Sequence, residues 1–309
     1  MSATESTIEK SVPLRLLDGG MGRELMRIGA PFRQPEWSAL ALIEAPEFVL
    51  KAHQAFINAG ARIITTNSYA LVPFHLGEER FAASAAALSE LAGQLARQAA
   101  AEASQPVLVA GSLPPALGSY RPDLFDHDQS VAIHRILIQG LKASVDVWLA
   151  ETQSSIAEVR AVREALGEDE KPLWLSFTLE DGEDHGPRLR SGETVAEATA
   201  VAIELGARAV LFNCSQPEVM AAALVAAREV IEAASAQIEL GVYANAFPVM
   251  EVEEEGANDT LHEIRADLGP DAYAKWANTW VEQGASVIGG CCGIGPEHIA
   301  ALHSHFKLV

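Results

Sequence analysis

Sulfur and carboxylate carry the most suggestive chemistry in this chain. It holds three cysteines, Cys214 and the adjacent pair Cys291 and Cys292. An odd number with two side by side makes a poor disulfide framework, because neighbouring cysteines bond only by distorting the peptide and a cytosolic protein keeps its thiols reduced. Three thiolates converging on one point bind zinc tightly and leave a fourth tetrahedral position open, the pattern of a catalytic rather than a structural centre. The alternative is three small buried hydrophobes, since free cysteine is among the most buried residue types. Two acidic residues stand beside small or polar neighbours: Asp18 before Gly19 and Gly20, and Glu151 before Thr152 and Gln153. Paired carboxylates suit an ammonium ligand or acid–base work, or they cap the helices that follow.

These residues share a position. Eight short apolar runs recur along the chain: Leu14–Leu17, Arg62–Thr65, Val107–Ala110, Val145–Ala150, Leu173–Phe177, Ala209–Phe212, Ile238–Tyr243 and Ser286–Ile288. Runs apolar on both faces suit strands buried on both sides, as in a parallel sheet. Between them lie stretches of helical spacing, such as 81–103, 195–205 and 219–234, and Gly60, Gly206 and Gly284 each punctuate the passage from a helix into the next strand. Eight βα units predict a single (β/α)8 TIM barrel. The competitor is a doubly wound open sheet, but Asp18-Gly19-Gly20-Met21-Gly22 does not match the phosphate-turn pattern such a sheet carries after its first strand. In a barrel the chemistry sits where strands end. That singles out Asp18, Gly19, Gly20, Thr66, Asn67, Tyr69, Ser112, Glu151, Thr152, Gln153, Asn213, Cys214, Asn245, Cys291 and Cys292, with Trp37 in the long segment after strand one.

Of the 309 residues, 49% are hydrophobic and 21% charged, enough for a large core and unlike a disordered chain. The net charge of −20 repels nucleic acid and anionic membrane surfaces. No run suits a membrane span and the opening residues lack the apolar stretch of a secretory signal, so a cytoplasmic protein is expected. No linker divides the chain, which reads as one domain over residues 1–309 with 1–12 as a flexible tail. An acidic insertion, 250–271, follows strand seven and reads as a solvated loop or short helix at the barrel mouth. His53 reads as a packed or capping residue, Trp276 and Trp280 as core, and His298, His303 and His305 as facing solvent or the preceding strand ends. A homo-oligomer is open.

From Leu17 to about Leu302 the chain resembles the zinc-dependent homocysteine S-methyltransferase family. The carriers are LLDGGMGREL from Leu16, EWSALALIEAPE around Trp37, AGARIITTNSY at Ala59–Tyr69, GSLPP at Gly111–Pro115, and ETQ at Glu151–Gln153. They continue with SFTL at Ser176–Leu179, NCSQPE at Asn213–Glu218, and GGCCGIGPEHI at Gly289–Ile299. The resemblance implies zinc (Zn2+) on Cys214, Cys291 and Cys292, and an amino-acid substrate held by Asp18 and Glu151. Backbone N–H groups of Gly19 and Gly20 are expected to receive its carboxylate. The chain departs from the family after strand seven, where it reads Tyr243-Ala244-Asn245-Ala246-Phe247-Pro248, and after the cysteine pair, where Gly293-Ile294-Gly295 predicts a more flexible loop.

The implied reaction activates homocysteine as a thiolate, which attacks the methyl group of an onium donor to give methionine. Trp37–Ala39 and Thr66–Tyr69 look more like the S-methylmethionine-using branch than the betaine-using one, and Trp37 and Tyr69 are the aromatic residues expected to face a sulfonium. S-methylmethionine or S-adenosylmethionine is the expected donor. Betaine or dimethylsulfoniopropionate, a selenol or other thiol acceptor, and a non-catalytic zinc or amino-acid-binding barrel are the alternatives.

Overall fold

The computed structural model describes residues 13–182, 186–249 and 263–308. The tail 1–12 and most of the acidic insertion, 250–262, lie outside the described residues.

Each apolar run forms a strand: β1 (Arg15–Leu16), β2 (Ile63–Thr65), β3 (Leu108–Leu113), β4 (Val147–Gln153), β5 (Leu173–Phe177), β6 (Ala209–Asn213), β7 (Glu239–Tyr243) and β8 (Ala285–Ile288). All neighbouring pairs are parallel, and the sheet runs β1-β8-β7-β6-β5-β4-β3-β2. A Leu17↔Ile63 bridge, with the Arg62 N–H donating to the Leu16 carbonyl at 2.8 Å, joins the last open pair and makes the sheet a barrel. The pairing of β1 with β8 excludes the open doubly wound sheet.

Alternation along the strands divides the interior in two. Leu17, Ile63, Ala110, Val147, Leu149, Trp174, Leu211, Tyr243 and Val287 pack together inside the barrel. Their neighbours along the chain, among them Trp148, Ala150, Val210 and Phe212, join the core shared with the helices. Both faces being buried is why the strands read as unbroken apolar runs rather than as alternating ones.

The helices are α1 (Met21–Arg27), α2 (Ser38–Glu44), α3 (Pro46–Asn58), α4 (Pro73–Leu76), α5 (Glu78–Glu102) and α6 (His127–Leu141). They continue with α7 (Ile156–Leu166), α8 (Val195–Glu204), α9 (Pro217–Ala233), α10 (Pro270–Glu282) and α11 (Pro296–His305). Gly60, Gly206 and Gly284 take φ of 115°, 73° and 103° where a helix turns into the next strand, a region closed to most side chains. None of the described helices is long and apolar enough to cross a membrane.

His53 in α3 and Trp280 in α10 are fully buried, as expected, while Trp276 is only half-buried. Of the two settings expected for His298, burial excludes solvent: its ring is edge-on against Tyr273 and its Nε2 lies 3.0 Å from the Leu268 carbonyl.

Candidate active site

The three cysteines come together. Cys214 follows β6 directly, and Cys291 and Cys292 follow β8 after two glycines. Their sulfurs lie within 4.8 Å of one another. Cys214 and Cys291 are joined as a disulfide and Cys292 is free, which corrects the expectation of three reduced thiols. The physical reason is proximity: Cys214, just past β6, and Cys291, just past β8, have Cα atoms 5.7 Å apart, within disulfide reach. Bridged sulfurs do not ligate as thiolates, so metal binding here requires reduction. In the reduced state the donor set is three soft sulfurs with one side open, a composition that fits zinc. Burial pushes the Cys292 thiol up to about 11, a shift that a bound cation reverses.

The backbone around the sulfurs is tightly fitted. Cys291 donates its N–H to the Ala244 carbonyl, and the Cys292 carbonyl accepts from Ala246, both at 2.9 Å. A Cβ on Gly20 would sit 2.6 Å from the Cys291 carbonyl oxygen, and one on Gly19 would collide with the Ile294 carbonyl. The two glycines of the first turn are therefore required by the close approach of the cysteine loop.

Asp18 and Glu151 face the same cavity. Asp18 is 1% exposed and accepts the Thr65 N–H at 2.8 Å; Glu151 is 9% exposed and accepts the Ser112 hydroxyl and, at 3.4 Å, that of Tyr243. Burial raises both carboxyls, Glu151 to about 7, and the charge of Glu151 raises Asp18 further. Among the described residues no basic side chain forms an ion pair with either. Two buried carboxylates lacking a basic partner suit a cationic ligand that supplies the missing charge. The helix-cap alternative fails, because Gly20 caps α1, Ser155 caps α7, and Glu151 lies within β4.

Two expectations about the loops are corrected. The Gly20 N–H donates to the Ile294 carbonyl at 2.9 Å, so it is engaged and not turned to a substrate carboxylate. The same bond, together with Ile294 N–H to the Cys291 carbonyl at 3.1 Å and the full burial of Ile294, packs the Gly293–Gly295 loop rather than loosening it.

Aromatic rings form the outer walls. Trp37 meets Phe32 edge-on at 5.5 Å, and Tyr69, Tyr120 and Phe247 line the same cavity. The Tyr69 hydroxyl is 2.7 Å from that of Ser119, and the Asn67 amide donates to the Ser38 carbonyl at 3.0 Å, tying β2 to α2. Phe32, Tyr120, Phe247 and Arg23 were not foreseen as site residues. They sit in loops and on α1, several residues from any strand end, where no periodicity marks them. A backbone signature does: of the six non-glycine residues with positive φ among the described residues, Trp37, Tyr120, Thr152 and Cys214 all line this cavity. Strain of this kind concentrates at functional sites.

A family model described as homocysteine S-methyltransferase matches residues 15–306. Homocysteine S-methyltransferase 1 of Zea mays is 27% identical, covering 99% of this chain and 98% of its own. A selenocysteine methyltransferase of Astragalus bisulcatus is 27% identical over 93% of this chain and 91% of its own. The crystal structure of the homocysteine methyltransferase MmuM from Escherichia coli, metallated form, superposes with a TM-score of 0.76 at 30% identity, covering 96% of each chain. An oxidised form of the same protein matches at 0.76 and 29%. With strand order, sulfur cluster and paired carboxylates all in place, the chain belongs to the homocysteine S-methyltransferase family.

Proposed function

We propose that the reduced protein holds zinc on Cys214, Cys291 and Cys292 and transfers a methyl group from a sulfonium donor, S-methylmethionine or S-adenosylmethionine, to homocysteine, giving methionine. The observation that carries this reading is the shared cavity: three sulfurs within 4.8 Å, two buried carboxylates and a rim of aromatic rings. When bound, zinc supplies Lewis-acid chemistry that makes the acceptor thiol a thiolate at neutral pH.

The chain's own residues do the rest. Asp18 and Glu151 receive the ammonium group of homocysteine, which orients its sulfur toward the cysteines. Trp37, Phe32, Tyr120 and Phe247 exclude water and offer ring faces to an onium carbon. The acceptor sulfur forms the new bond to the methyl carbon as the donor's bond to that carbon breaks. The bonding pair leaves with the donor, now a neutral thioether, so no general acid is required and positioning does most of the work. The selenocysteine methyltransferase among the relatives supports a selenol as a second acceptor.

The test is methionine formation by reduced, zinc-loaded protein from homocysteine with S-methylmethionine, S-adenosylmethionine, betaine or dimethylsulfoniopropionate. A sulfonium of the first two kinds should give the highest rate, and Cys291→Ala should abolish both zinc retention and turnover. Faster turnover with betaine refutes the donor assignment. About one zinc per chain is expected, and a freshly reduced preparation without zinc refutes the centre.

A further inference from the structure

Thr178, Asp181 and Arg190, in the described residues after β5, gather around Cys214. The Cys214 backbone is left-handed, with φ of 49°, and its carbonyl oxygen accepts two hydrogen bonds, from Thr178 Oγ1 at 3.2 Å and from the Tyr120 hydroxyl at 3.3 Å. Tyr120 is itself left-handed, with φ of 61°. Both donors are held by one side chain. Arg190 gives its Nε–H to Thr178 Oγ1 at 3.1 Å and stacks its guanidinium 4.5 Å from the centre of the Tyr120 ring. Its Nη2 pairs with Asp181 at 3.3 Å, and the other oxygen of Asp181 accepts the Gln216 N–H at 3.1 Å, two residues beyond Cys214. The Arg190 and Asp181 side chains are 4% and 2% exposed.

A charge pair this deep is an expensive way to tie down a surface loop, since desolvation offsets most of the attraction. Its geometry suits a different task. Thr178 accepts from Arg190 and gives its own proton to the Cys214 carbonyl. The stacked Tyr120 ring forms a wall of the substrate cavity while its hydroxyl reaches the same carbonyl. The planar fork is what allows one residue to hold a hydroxyl, a carboxylate and a ring together, which a lysine ammonium does not do.

We propose that Arg190 is a positioning residue for the sulfur centre: through Thr178 and Tyr120 it fixes the strained Cys214 backbone, and with it the direction of one of the three sulfurs. The proposal rests on the reading of that centre as the metal site of methyl transfer. Outer residues that orient a ligand typically contribute ten- to hundredfold to metal affinity or activity.

The experiment measures release of zinc to a chromophoric chelator from reduced, zinc-loaded protein, alongside kcat and KM for homocysteine and the thermal midpoint of the metal-free protein. Tyr120→Phe keeps the ring under the guanidinium and removes only the hydroxyl. It should release zinc faster, about threefold or more, with the metal-free midpoint unchanged. Arg190→Met should release zinc about tenfold faster or more. Arg190→Lys should restore only part of the loss, because charge without the fork does not hold Thr178 and Tyr120 together. Wild-type release rates in Tyr120→Phe and Arg190→Lys overturn the proposal, and so does full rescue by lysine. A lowered metal-free midpoint in the Arg190 variants with normal release from Tyr120→Phe assigns Arg190 a purely structural role and equally overturns it. If the wild type itself retains no zinc, the metal reading fails and this inference with it. If the wild type retains zinc and the variants match it, this inference alone fails.

Discussion

At the scale of single residues the site is a set of close approaches, and these set the sharpest expectations. Glu151 sits 9% exposed in β4 with hydroxyl partners only, so its charge is most useful when an ammonium arrives. Glu151→Gln keeps the shape and removes the charge, and a charged hydrogen bond is worth about 1.5–3 kcal/mol. KM for homocysteine should rise about ten- to hundredfold while zinc content stays at the wild-type level. Equal loss of both would make Glu151 structural. Gly20 gives a second case: a Cβ there would lie 2.6 Å from the Cys291 carbonyl oxygen and 3.2 Å from the Cys292 Cα, both backbone atoms. Gly20→Ala must therefore displace the cysteine loop, with about 1–3 kcal/mol of lost stability by analogy with overpacked cores, and with weakened zinc retention. Denaturant unfolding and metal analysis check the two effects, and a fully stable variant with normal zinc would contradict the fit described here.

Elements position these residues by ending where they do. Glu151 belongs to β4, and the next helix starts because Ser155 accepts the Glu158 N–H while the Glu158 carboxylate takes the N–H groups of Ser154 and Ser155. This capping box ends the strand's continuation within a few residues of the site without touching the cavity. Ser155→Ala should cost about 1 kcal/mol, read as a shift in denaturant midpoint, and leave KM for homocysteine unchanged. A large change in KM would show that the cap also tunes the site. In the same way Asn213, the last residue of β6, reaches across to β4. Its Oδ1 accepts the Thr152 N–H at 3.0 Å and the Ser176 hydroxyl at 2.7 Å, and its amide donates to Thr152 Oγ1 at 2.8 Å. Thr152 is left-handed, with φ of 60°, so one amide ties the strand end that carries Glu151 to the strand end that carries Cys214.

Across the whole molecule, burial sets opposing responses to pH. His53 is fully buried and desolvation lowers it from 6.5 to about 4, so the fold refuses a proton that the unfolded chain accepts. Its contribution is complete above pH 6.5 and is lost as pH falls toward about 4, amounting to about 3 kcal/mol at one pKa unit per 1.36 kcal/mol. Glu151 and Glu158, both raised to about 7, act with the opposite sign: the fold binds protons that the unfolded chain has released above about 4.5, so stability declines as pH rises toward 7. His53→Leu isolates the first effect. Its unfolding free energy should fall less steeply than the wild type's between pH 6.5 and about 4, and an identical slope would show that His53 does not resist protonation.

The sequence by itself determined the barrel and the ingredients of its site, because strands buried on both faces must be apolar throughout and their polar end residues then stand out. Eight runs became eight strands, the three helix-ending glycines took positive φ, and Asp18, Glu151 and the three cysteines reached one cavity. Tertiary structure decided what depends on atoms meeting from distant loops. It joined Cys214 to Cys291, turned the Gly20 N–H to Ile294, packed the glycine loop after Cys292, and brought Phe32, Tyr120 and Phe247 to the walls and Arg190 behind Cys214. Such contacts leave no periodic trace in the chain, since they follow from how loops of different units fold over a common barrel mouth.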